Sequence, residues 1–469
     1  MNSREFLLDN FDFRLDAEYF LKEYLIYLKK LNEVGFKKVS EFSYVTDGIH
    51  TSIDYCENSN INLFSATTPK ENYFDLSRQV FISEKAQIAN PRTALKENDV
   101  IISTVGTIGN CAVVNKDVLP ANSDRHVGII RIDKEFYPRY LSTFLLTKYG
   151  RFQTWRESTG NVQLNLFLYR IRTLKIANLS PNFQLKIENL VLLNDKKRKQ
   201  SKEKYTQAET LLLQEIGLER DPLTSNELVT SSNPGAITNT NVKSFKKSFV
   251  ATGRLDAEYY QKKYEVIIEK IKSYKKGVEP LAIACNLEDK NYKPIDDIVY
   301  KYIELSNIGK TGDINGCTTE LGKDLPSRAR RLVATNDVII SSIEGSLQSC
   351  ALVGEEYNNA LCSTGFYVIN SNKINSETLV VLFKSELMQC IMKQNCSGTI
   401  LTGMNKDEFR NILVPIIDKK VQQEIAKLIG ESFSLKKQSE HLLEVEKKAV
   451  EIAIEESEEM AMVFINENV

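Results

Sequence analysis

The sequence repeats one stretch after 240 residues, and this repeat constrains the fold more than any other feature. Residues 14–20 read Arg-Leu-Asp-Ala-Glu-Tyr-Phe, and residues 254–260 read Arg-Leu-Asp-Ala-Glu-Tyr-Tyr. The segment Asp-Val-Ile-Ile-Ser at 99–103 returns at 337–341, and Gly160 returns as Gly398, both at an offset of 238. Similar offsets over so much of the chain indicate an internal duplication. Because 469 residues are also too many for a single hydrophobic core, we predict two equivalent modules.

The net charge and the cysteines limit the classes of function. The formal net charge of −1 argues against uniform binding of polyanions but leaves room for local basic surfaces. The eight cysteines never form a Cys-x-x-Cys pair and only three histidines are present, so we expect reduced, mostly buried thiols and no metal site. The first residues form no apolar signal segment, and no run reaches the roughly 18 apolar residues that a membrane span needs. We therefore expect a soluble, cytoplasmic protein.

Each module is predicted to begin with a helix and to continue as a sheet. Residues 14–31 carry apolar side chains at helical spacing. Short β-branched and aromatic runs separated by turn residues follow in both modules, as is typical of a β-rich α/β domain. These runs lie at 39–45, 61–64, 80–82, 100–103, 111–114 and 127–132 in the first module, and at 300–305, 338–341, 350–353 and 366–369 in the second.

A long helix is predicted at the end of each module. In the second copy, steps of three and four residues form a heptad-like seam from Val421 to Met460, which includes Ser432, Ser439 and Glu446. Neither long helix is apolar all round, and a basic run at 196–199 contrasts with glutamates between 451 and 459. We therefore predict that the two helices pair, and an antiparallel pair would place the modules at opposite ends. The seam of the first copy runs through 183, 187, 190, 194, 197, 201, 204, 208 and 211, with polar residues in its middle.

The predicted fold class is α/β, with two duplicated β-rich α/β domains joined by two long antiparallel coiled-coil helices in a pseudo-twofold arrangement. Residues 221–240 are rich in Ser, Thr and Asn and include two prolines, which is typical of a linker. The expected boundaries are 1–178 for the first domain, 179–219 for the first long helix, 220–250 for the linker, 251–417 for the second domain and 418–469 for the second long helix.

The sequence contains no recognisable catalytic motif. Gly309-Lys310-Thr311 resembles the end of a phosphate-binding loop, but Glu304 stands where that loop requires its first glycine. The serine-hydrolase elbow, the zinc-protease motif, the dinucleotide-binding glycine pattern and the amino-methyltransferase motif are also missing. We therefore predict no catalytic residue and no metal ligand in this chain.

Polar loops between the predicted strands are the candidate recognition elements. Residues 47–51, Asp-Gly-Ile-His-Thr, include a histidine that can donate or accept a hydrogen bond near neutral pH. Residues 103–110 combine two glycines with three hydroxyls in a tight turn, where backbone amides can approach a phosphate. Arginines cluster locally in both copies. Ordinary surface turns and a solvated surface remain alternative interpretations of all these features.

Together the motifs resemble those of the specificity subunits of type I restriction-modification enzymes. The resemblance rests on the duplicated Arg-Leu-Asp-Ala-Glu-Tyr helix, the Asp-Val-Ile-Ile-Ser strand with its following Gly-x-x-Gly turn, and the closing long helices. The segment Ser-Thr-Gly-Asn-Val-Gln at 158–163 also contributes. The similarity covers nearly the whole chain in the same order.

The resemblance implies two target-recognition domains, each reading one half of a bipartite DNA sequence. It implies that the paired helices dock two modification subunits, which hold S-adenosylmethionine and the methyltransferase site. A restriction subunit would supply ATP- and Mg-dependent translocation and cleavage, so this chain would be non-catalytic and hold no cofactor. Because the second copy lacks the Asp-Gly-x-His pattern of residues 47–50, the two half-sites are expected to differ.

One group of residues is predicted to contact DNA, and a second group is predicted to dock the partner subunits. Apolar residues of the repeated opening motif are also expected to pack against the end of the opposite module's long helix. The predicted DNA-contacting residues are Thr46, His50, Thr51, Arg92, Thr104, Thr107, Arg125, His126, Lys310, Thr311, Arg328, Arg330 and Arg331. The predicted partner-docking residues are Leu15, Tyr19, Leu255, Tyr259, Ile187, Leu211, Leu428 and Leu442.

Two other functions remain open from the sequence. The chain can be the target-reading subunit of a related system whose partner combines methyltransferase and nuclease in one polypeptide, which neighbouring genes would reveal. It can also be a helical scaffold whose modules bind no DNA. A salt-dependent gel shift on duplex DNA distinguishes the scaffold, because phosphate contacts make binding fall steeply with salt.

Overall fold

The chain forms two compact units in the computed structural model, which describes residues 14–160, 162–218, 241–288, 290–398 and 402–469. Unit 1 consists of Met1–Arg198 with Lys436–Val469, and unit 2 consists of Lys199–Leu435. Each unit contains one of the repeated modules and a part of both long helices, α7 (Pro181–Ile216) and α14 (Lys419–Glu455). Residues 220–240 of the predicted linker lie outside the described residues.

The module of unit 1 consists of two sheets and a strand pair. A four-stranded antiparallel sheet has the order β2-β8-β5-β6, a second sheet has the order β4-β3-β7 with β3 parallel to β7, and β1 pairs with β9. The strands are β1 (Phe36–Lys38), β2 (Ser43–Asp47), β3 (Ile61–Phe64), β4 (Val80–Ile82), β5 (Val100–Ser103), β6 (Cys111–Val113), β7 (Ala121–Ser123), β8 (Val127–Ile132) and β9 (Lys175–Ala177).

The larger sheet of unit 1 is covered on both faces, which explains why β5 is buried throughout and mostly apolar. Val100 and Ile102 pack in the main hydrophobic core of unit 1, which also contains residues of its helices. Ile101 packs with Phe64 in a separate apolar cluster. The helices of this unit are α1 (Lys22–Val34), α2 (Val39–Phe42), α3 (Glu84–Ala89), α4 (Pro138–Leu146), α5 (Lys148–Glu157), α6 (Leu168–Ile171) and α15 (Glu458–Asn468), with 3-10 turns at Ala17–Phe20 and Lys116–Val118.

The module of unit 2 repeats this plan and confirms the predicted duplication. Its sheets have the orders β11-β18-β15-β16 and β13-β12-β17-β14, with strand pairs β10-β21 and β19-β20. Its strands are β10 (Val278–Pro280), β11 (Asn286–Glu288), β12 (Val299–Ile303), β13 (Thr318–Leu321), β14 (Ala329–Leu332), β15 (Val338–Ser341), β16 (Cys350–Leu352), β17 (Leu361–Ser363), β18 (Phe366–Asn370), β19 (Cys396–Ser397), β20 (Gly403–Met404) and β21 (Leu413–Pro415). Its helices are α8 (Phe249–Thr252), α9 (Lys262–Lys272), α10 (Leu281–Ala284), α11 (Ser376–Lys384), α12 (Glu386–Gln394) and α13 (Lys406–Asn411), with 3-10 turns at Leu305–Asn307, Glu344–Ser346 and Glu355–Tyr357.

The two long helices are antiparallel within each unit, as predicted. In unit 1, Asn194 contacts Glu446, and Ser180 at the start of α7 contacts Glu458. In unit 2, Ser201 and Ser432 each donate their hydroxyl to the other's main-chain carbonyl, at 2.9 and 2.8 Å. Most of the predicted seam faces inward, including Ser432, Ser439 and Glu446, which are buried, whereas Met460 at its end is 51% exposed.

The second long helix does not run unbroken to the end of the chain, in contrast to the prediction. Helix α14 ends at Glu455, and Ser457 caps a separate helix α15 by accepting a hydrogen bond from the Met460 amide at 3.3 Å. Glu458 accepts a bond from the Ser180 amide at 2.7 Å. The break is favourable because the capping hydroxyl and this carboxylate satisfy amides that the helix ends leave unpaired.

The opening segment of the first copy is less regular than predicted. Residues 17–20 form a 3-10 turn, and the α-helix begins only at Lys22. Asp16 causes this local structure, because its carboxylate accepts a bond from the Tyr19 amide at 3.0 Å. Among the described residues, no helix combines the length and the hydrophobicity needed to cross a bilayer.

Candidate nucleic-acid interface

Arg92 organises the loop that follows β2. Its guanidinium donates to the hydroxyl of Thr46, to the carboxylate of Asp47 at 3.3 Å, and to the main-chain carbonyls of Asp47 and Gly48 at 3.2 and 3.4 Å. The sequence analysis predicted Thr46 and Arg92 as direct DNA contacts. The structure brings them together, but Thr46 is buried, so its hydroxyl supports Arg92 and does not face a ligand.

The tip of this loop holds His50 beside Asp47. The His50 Nε2 lies 2.5 Å from the Asp47 carboxylate, while more than half of the imidazole is exposed, and Thr51 is exposed next to it. Gly48 is required here because a Cβ atom would lie 2.1 Å from the carbonyl oxygen of Asp124. The loop therefore packs tightly against the turn between β7 and β8.

That turn carries Arg125 and His126. The Asp124 carboxylate accepts a bond from the His126 amide at 2.8 Å, and the Arg125 Nε lies 3.4 Å from the His126 ring nitrogen. The His126 carbonyl accepts a bond from the amide of Thr104 at 3.1 Å, which joins the turn after β5 to the same surface. Thr104 itself is buried, whereas Thr107 is exposed and donates to the Ala66 carbonyl at 3.2 Å.

The first-copy candidates thus form one contiguous surface, which we call the loop cluster. Its exposed side chains offer both hydrogen-bond donors and acceptors, with Asp47 and Asp124 placed among the cations. Such a mixture suits recognition of base edges better than neutralisation of many phosphates. The exposed or half-buried members are His50, Thr51, Arg92, Thr107, Arg125 and His126.

In unit 2 the predicted arginines lie on β14 or, for Arg328, directly before it, and they differ in accessibility. The exposed Arg328 donates to the Tyr302 hydroxyl at 3.2 Å and pairs with Glu304 at 3.4 Å. Arg330 donates to the Ser327 carbonyl at 2.9 Å. One terminal nitrogen of Arg331 is buried without a hydrogen-bond partner among the described residues, so this guanidinium points inward.

Lys310 and Thr311 occupy a different part of unit 2. Thr311 donates to the carboxylate of Asp313 at 2.5 Å, and Lys384 of α11 donates to the Gly309 carbonyl at 3.2 Å. This loop therefore packs on α11, whereas Arg328 contacts β12. The contacts of Thr311 and Arg328 therefore involve different elements of unit 2.

The predicted docking residues also differ in exposure. Leu15 and Leu255 are 90% and 68% exposed, so neither packs against a long helix of this chain, and that part of the prediction is wrong. Ile187 and Leu442 are buried in the core of unit 1, because the seam faces the other long helix, and cannot meet a partner directly. Leu211 and Leu428 are half-buried at the edge of the unit 2 core.

The tyrosine of the repeated motif makes contacts that the sequence did not reveal. Tyr19 is buried between two guanidinium groups, with Arg156 at 3.8 Å and Arg14 at 4.7 Å from the ring centre. Arg156 also donates to the Tyr19 carbonyl at 3.1 Å, and Arg14 to the Ser158 carbonyl at 3.2 Å. The motif therefore fastens the start of the module to α5, not to a long helix.

The second copy fastens its motif in the same way. Arg254 lies 4.4 Å from the Tyr259 ring centre and donates to the Cys396 carbonyl at 3.0 Å, while Gln394 donates to the Tyr259 carbonyl at 2.9 Å. Gln394 and Cys396 follow Arg156 and Ser158 by the repeat offset of 238. The repeat offset is the sequence signal from which the equivalence of these contacts could have been predicted. Tyr259 is only half-buried, and the position that Arg156 occupies in the first copy is held by Gln394 in the second.

A buried polar cluster in unit 1 was also missed as a unit. Asn194 and Asn72 donate their amide groups to the two carboxylate oxygens of Glu446, both at 3.1 Å. The hydroxyls of Ser439 and Ser142 donate to the carbonyl oxygens of the same two asparagines, both at 2.5 Å. Burial raises the pKa of Glu446 to about 8, although the two amide donors and Arg198 oppose the rise and Asp195 adds to it.

Comparison with known proteins finds a family that the second repeat resembles. Residues 285–444 match the family model described as type I restriction modification DNA specificity domain. Over these residues the second repeat is similar to type I specificity domains. The resemblance carried by the repeated motifs is thereby confirmed over these residues. No curated protein sequence matches the chain.

Three solved structures from type I restriction-modification systems show distant similarity to the chain. The S subunit of a type I restriction-modification system from M. genitalium is 11% identical, with 88% of this chain and 94% of that chain covered and a TM-score of 0.44. The HsdS subunit from Thermoanaerobacter tengcongensis is 12% identical, with 90% and 97% covered and a TM-score of 0.29. A structure described as underlying complex assembly and conformational transition of the type I system is 13% identical, with 90% and 97% covered and a TM-score of 0.28.

Proposed function

We propose that this chain is the DNA-reading specificity subunit of a type I restriction-modification complex and that its two modules read a bipartite, asymmetric target. The observation that carries the proposal is the match of the second repeat to the type I specificity domain. The module of unit 1 repeats the same sheet plan and presents the loop cluster at its surface. One module for each half of the target follows from this duplication.

The asymmetry of the target is supported by the turn that ends β7 in one copy and β17 in the other. In unit 1 the turn contains Asp124, Arg125 and His126, whereas in unit 2 it contains only Thr364 and Gly365. The long donors of the first turn have no equivalent in the second. Since base edges are distinguished by their donor and acceptor patterns, the two modules are expected to read different sequences.

We also propose that the chain is non-catalytic and positions separate partner subunits. Leu15 and Leu255 are exposed apolar residues at equivalent positions of the two modules, which supports two docking sites for two copies of one modification subunit. S-adenosylmethionine would be held by these subunits, and ATP and Mg by the restriction subunit. A partner that fuses methyltransferase and nuclease would dock equally well, and neighbouring genes distinguish the two arrangements.

The test combines methylome sequencing of a host that carries the system with gel shifts on the target found. Arg125→Ala should weaken binding by about 1 to 3 kcal/mol and relax one position of one half-site if Arg125 reads a base. The matched control is Lys116→Ala, which removes an exposed cation that pairs with Glu97 outside the loop cluster. Failure to bind duplex DNA at any salt concentration, with and without co-expressed partners, would leave the scaffold interpretation and refute the proposal.

A further inference from the structure

The buried polar cluster of unit 1 combines residues from both repeats. Asn72 and Asn194 come from the first copy, and Ser439 and Glu446 come from the second. Every hydrogen bond in the cluster has a defined direction: the hydroxyl donates to an amide oxygen, and the amide nitrogen donates to the carboxylate. A buried carboxylate is tolerated only where such donors are present. The cluster therefore depends on α7 facing α14.

The repeat gives each of these positions a counterpart with different chemistry. At the offset of 238, Asn194 corresponds to Ser432 and Ser439 to Ser201, while Glu446 corresponds to Ala208. At the offset of 240 that relates the parallel strand pairs β3-β7 and β12-β17, Asn72 corresponds to Gly312. The second copy therefore lacks both amide donors, and the first copy lacks the carboxylate.

The equivalence of Asn72 and Gly312 is supported by their surroundings. Both have a positive φ, 61° and 85°. Asn72 meets the hydroxyl of Ser142, and Val380, the residue 238 positions after Ser142, lies where a side chain at Gly312 would be. A Cβ atom on Gly312 would come within 2.2 Å of a Val380 methyl. The second copy has no space for an asparagine at this position.

Pairing of two identical long helices would therefore leave buried polar groups without partners. If two α14 helices from different chains paired antiparallel in the register of the α7–α14 pair, Glu446 of one chain would face Ser432 and Gly312 of the other. Two α7 helices would set Ala208 against Asn194, whose amide would then lack its acceptor. The contact between Ser201 and Ser432 in unit 2 does not discriminate in this way, because each hydroxyl keeps a polar partner when like helices pair. Ser432 would face Ser439 of a second α14, and Ser201 would face Asn194 of a second α7.

We propose that the cluster of Asn72, Asn194, Ser439 and Glu446 makes α7 pair with α14 and prevents each long helix from pairing with the same helix of a second chain. A duplicated sequence needs such a device, because its two helices carry similar apolar seams. The inference concerns assembly of the chain and does not depend on DNA binding.

The test replaces the cluster by the residues of the other repeat. Full-length chains carrying Asn72→Gly, Asn194→Ser and Glu446→Ala are prepared with light and heavy isotopes, unfolded together, refolded and cross-linked through their lysines. Cross-links between a light and a heavy peptide from 419–455 report pairing of like helices. We expect these cross-links to rise at least about tenfold over the wild-type chain, because like pairing no longer strands a buried group.

The matched control is the double variant Ser201→Ala and Ser432→Ala, which removes a buried polar contact of the same helices without changing the discrimination. It should leave the like-helix cross-links at the wild-type level. The proposal is overturned if the folded triple variant shows no rise or if the control rises as much. Should the triple variant fail to fold, Glu446→Ala alone is judged by the same two criteria.

Discussion

Replacing Glu446 with glutamine should remove a pH dependence from the stability of unit 1. The side chain is fully buried, and its folded-state pKa of about 8 lies above its ordinary 4.5. Below pH 4.5 both the folded and the unfolded chain hold the proton, so the group then has its full stabilising effect. As pH rises toward 8 the unfolded chain releases the proton first, and the stability is progressively lost.

The size of the effect follows from the pKa difference. A pKa difference of one corresponds to about 1.4 kcal/mol. The free energy of unfolding should therefore fall by up to about 5 kcal/mol between pH 4.5 and 8 through this residue alone. Glutamine has the shape of the protonated acid and cannot ionise. Its amide nitrogen would, however, face one of the two asparagine amides that donate to Glu446, so Glu446→Gln should be less stable than the wild-type chain near pH 5. The difference should shift in favour of Glu446→Gln as the pH rises to 9, because only the wild-type chain loses stability over that range.

A single fluorophore makes the measurement specific to unit 1. Trp155 is the one tryptophan of the sequence and lies in α5, beside Phe152. Urea unfolding followed by its fluorescence reports this unit separately from unit 2, whose unfolding need not coincide. Glu444→Gln is the control, because Glu444 is exposed on the same helix. A free-energy difference between Glu446→Gln and wild type that is the same at pH 5 and pH 9 would refute the reasoning.

Three further predictions concern the loop cluster and the repeated motif. Arg92→Ala should lower DNA affinity more than Arg330→Ala, because Arg92 holds four groups of its loop; equal losses in a gel shift would contradict this role. Gly48→Ala should weaken DNA binding and lower the melting temperature, since Gly48 is buried and the new methyl would meet the Asp124 carbonyl oxygen, and unchanged binding would show that the loop adapts. Tyr19→Ala should lower the free energy of unfolding by about 3 to 5 kcal/mol and Tyr259→Ala by clearly less, because only Tyr19 is fully buried. Urea unfolding that ranks the two variants in the opposite order would contradict the packing argument.

The helix seam shows what periodicity can predict. Residues such as Ser432, Ser439 and Glu446 were placed on the inner face because they continue a three-four spacing, and all three are buried. The spacing could not supply their partners. Asn72 reaches Glu446 from a loop 374 residues away, and only the folded module brings them together.

The loop cluster shows the opposite limit. Polar loops were correctly located, but Thr46 and Thr104 are covered by Arg92 and by the turn at His126, respectively. Whether a hydroxyl at a strand end faces solvent depends on which neighbouring loop folds over it, and this is not encoded in local sequence. The inward orientation of Arg331 has the same kind of cause, since the strand opposite determines its surroundings.

The division of the two long helices between the units has a consequence for biosynthesis. Unit 2 is a continuous segment, Lys199–Leu435, whereas unit 1 needs Lys436–Val469 to complete its core. During translation, all residues of unit 2 therefore leave the ribosome before the last residues of unit 1, although the first module is translated first. Unit 1 can complete its core only after unit 2 has been synthesised. A nonsense mutation near residue 436 would consequently damage the beginning of the protein and leave the segment just before the stop codon intact.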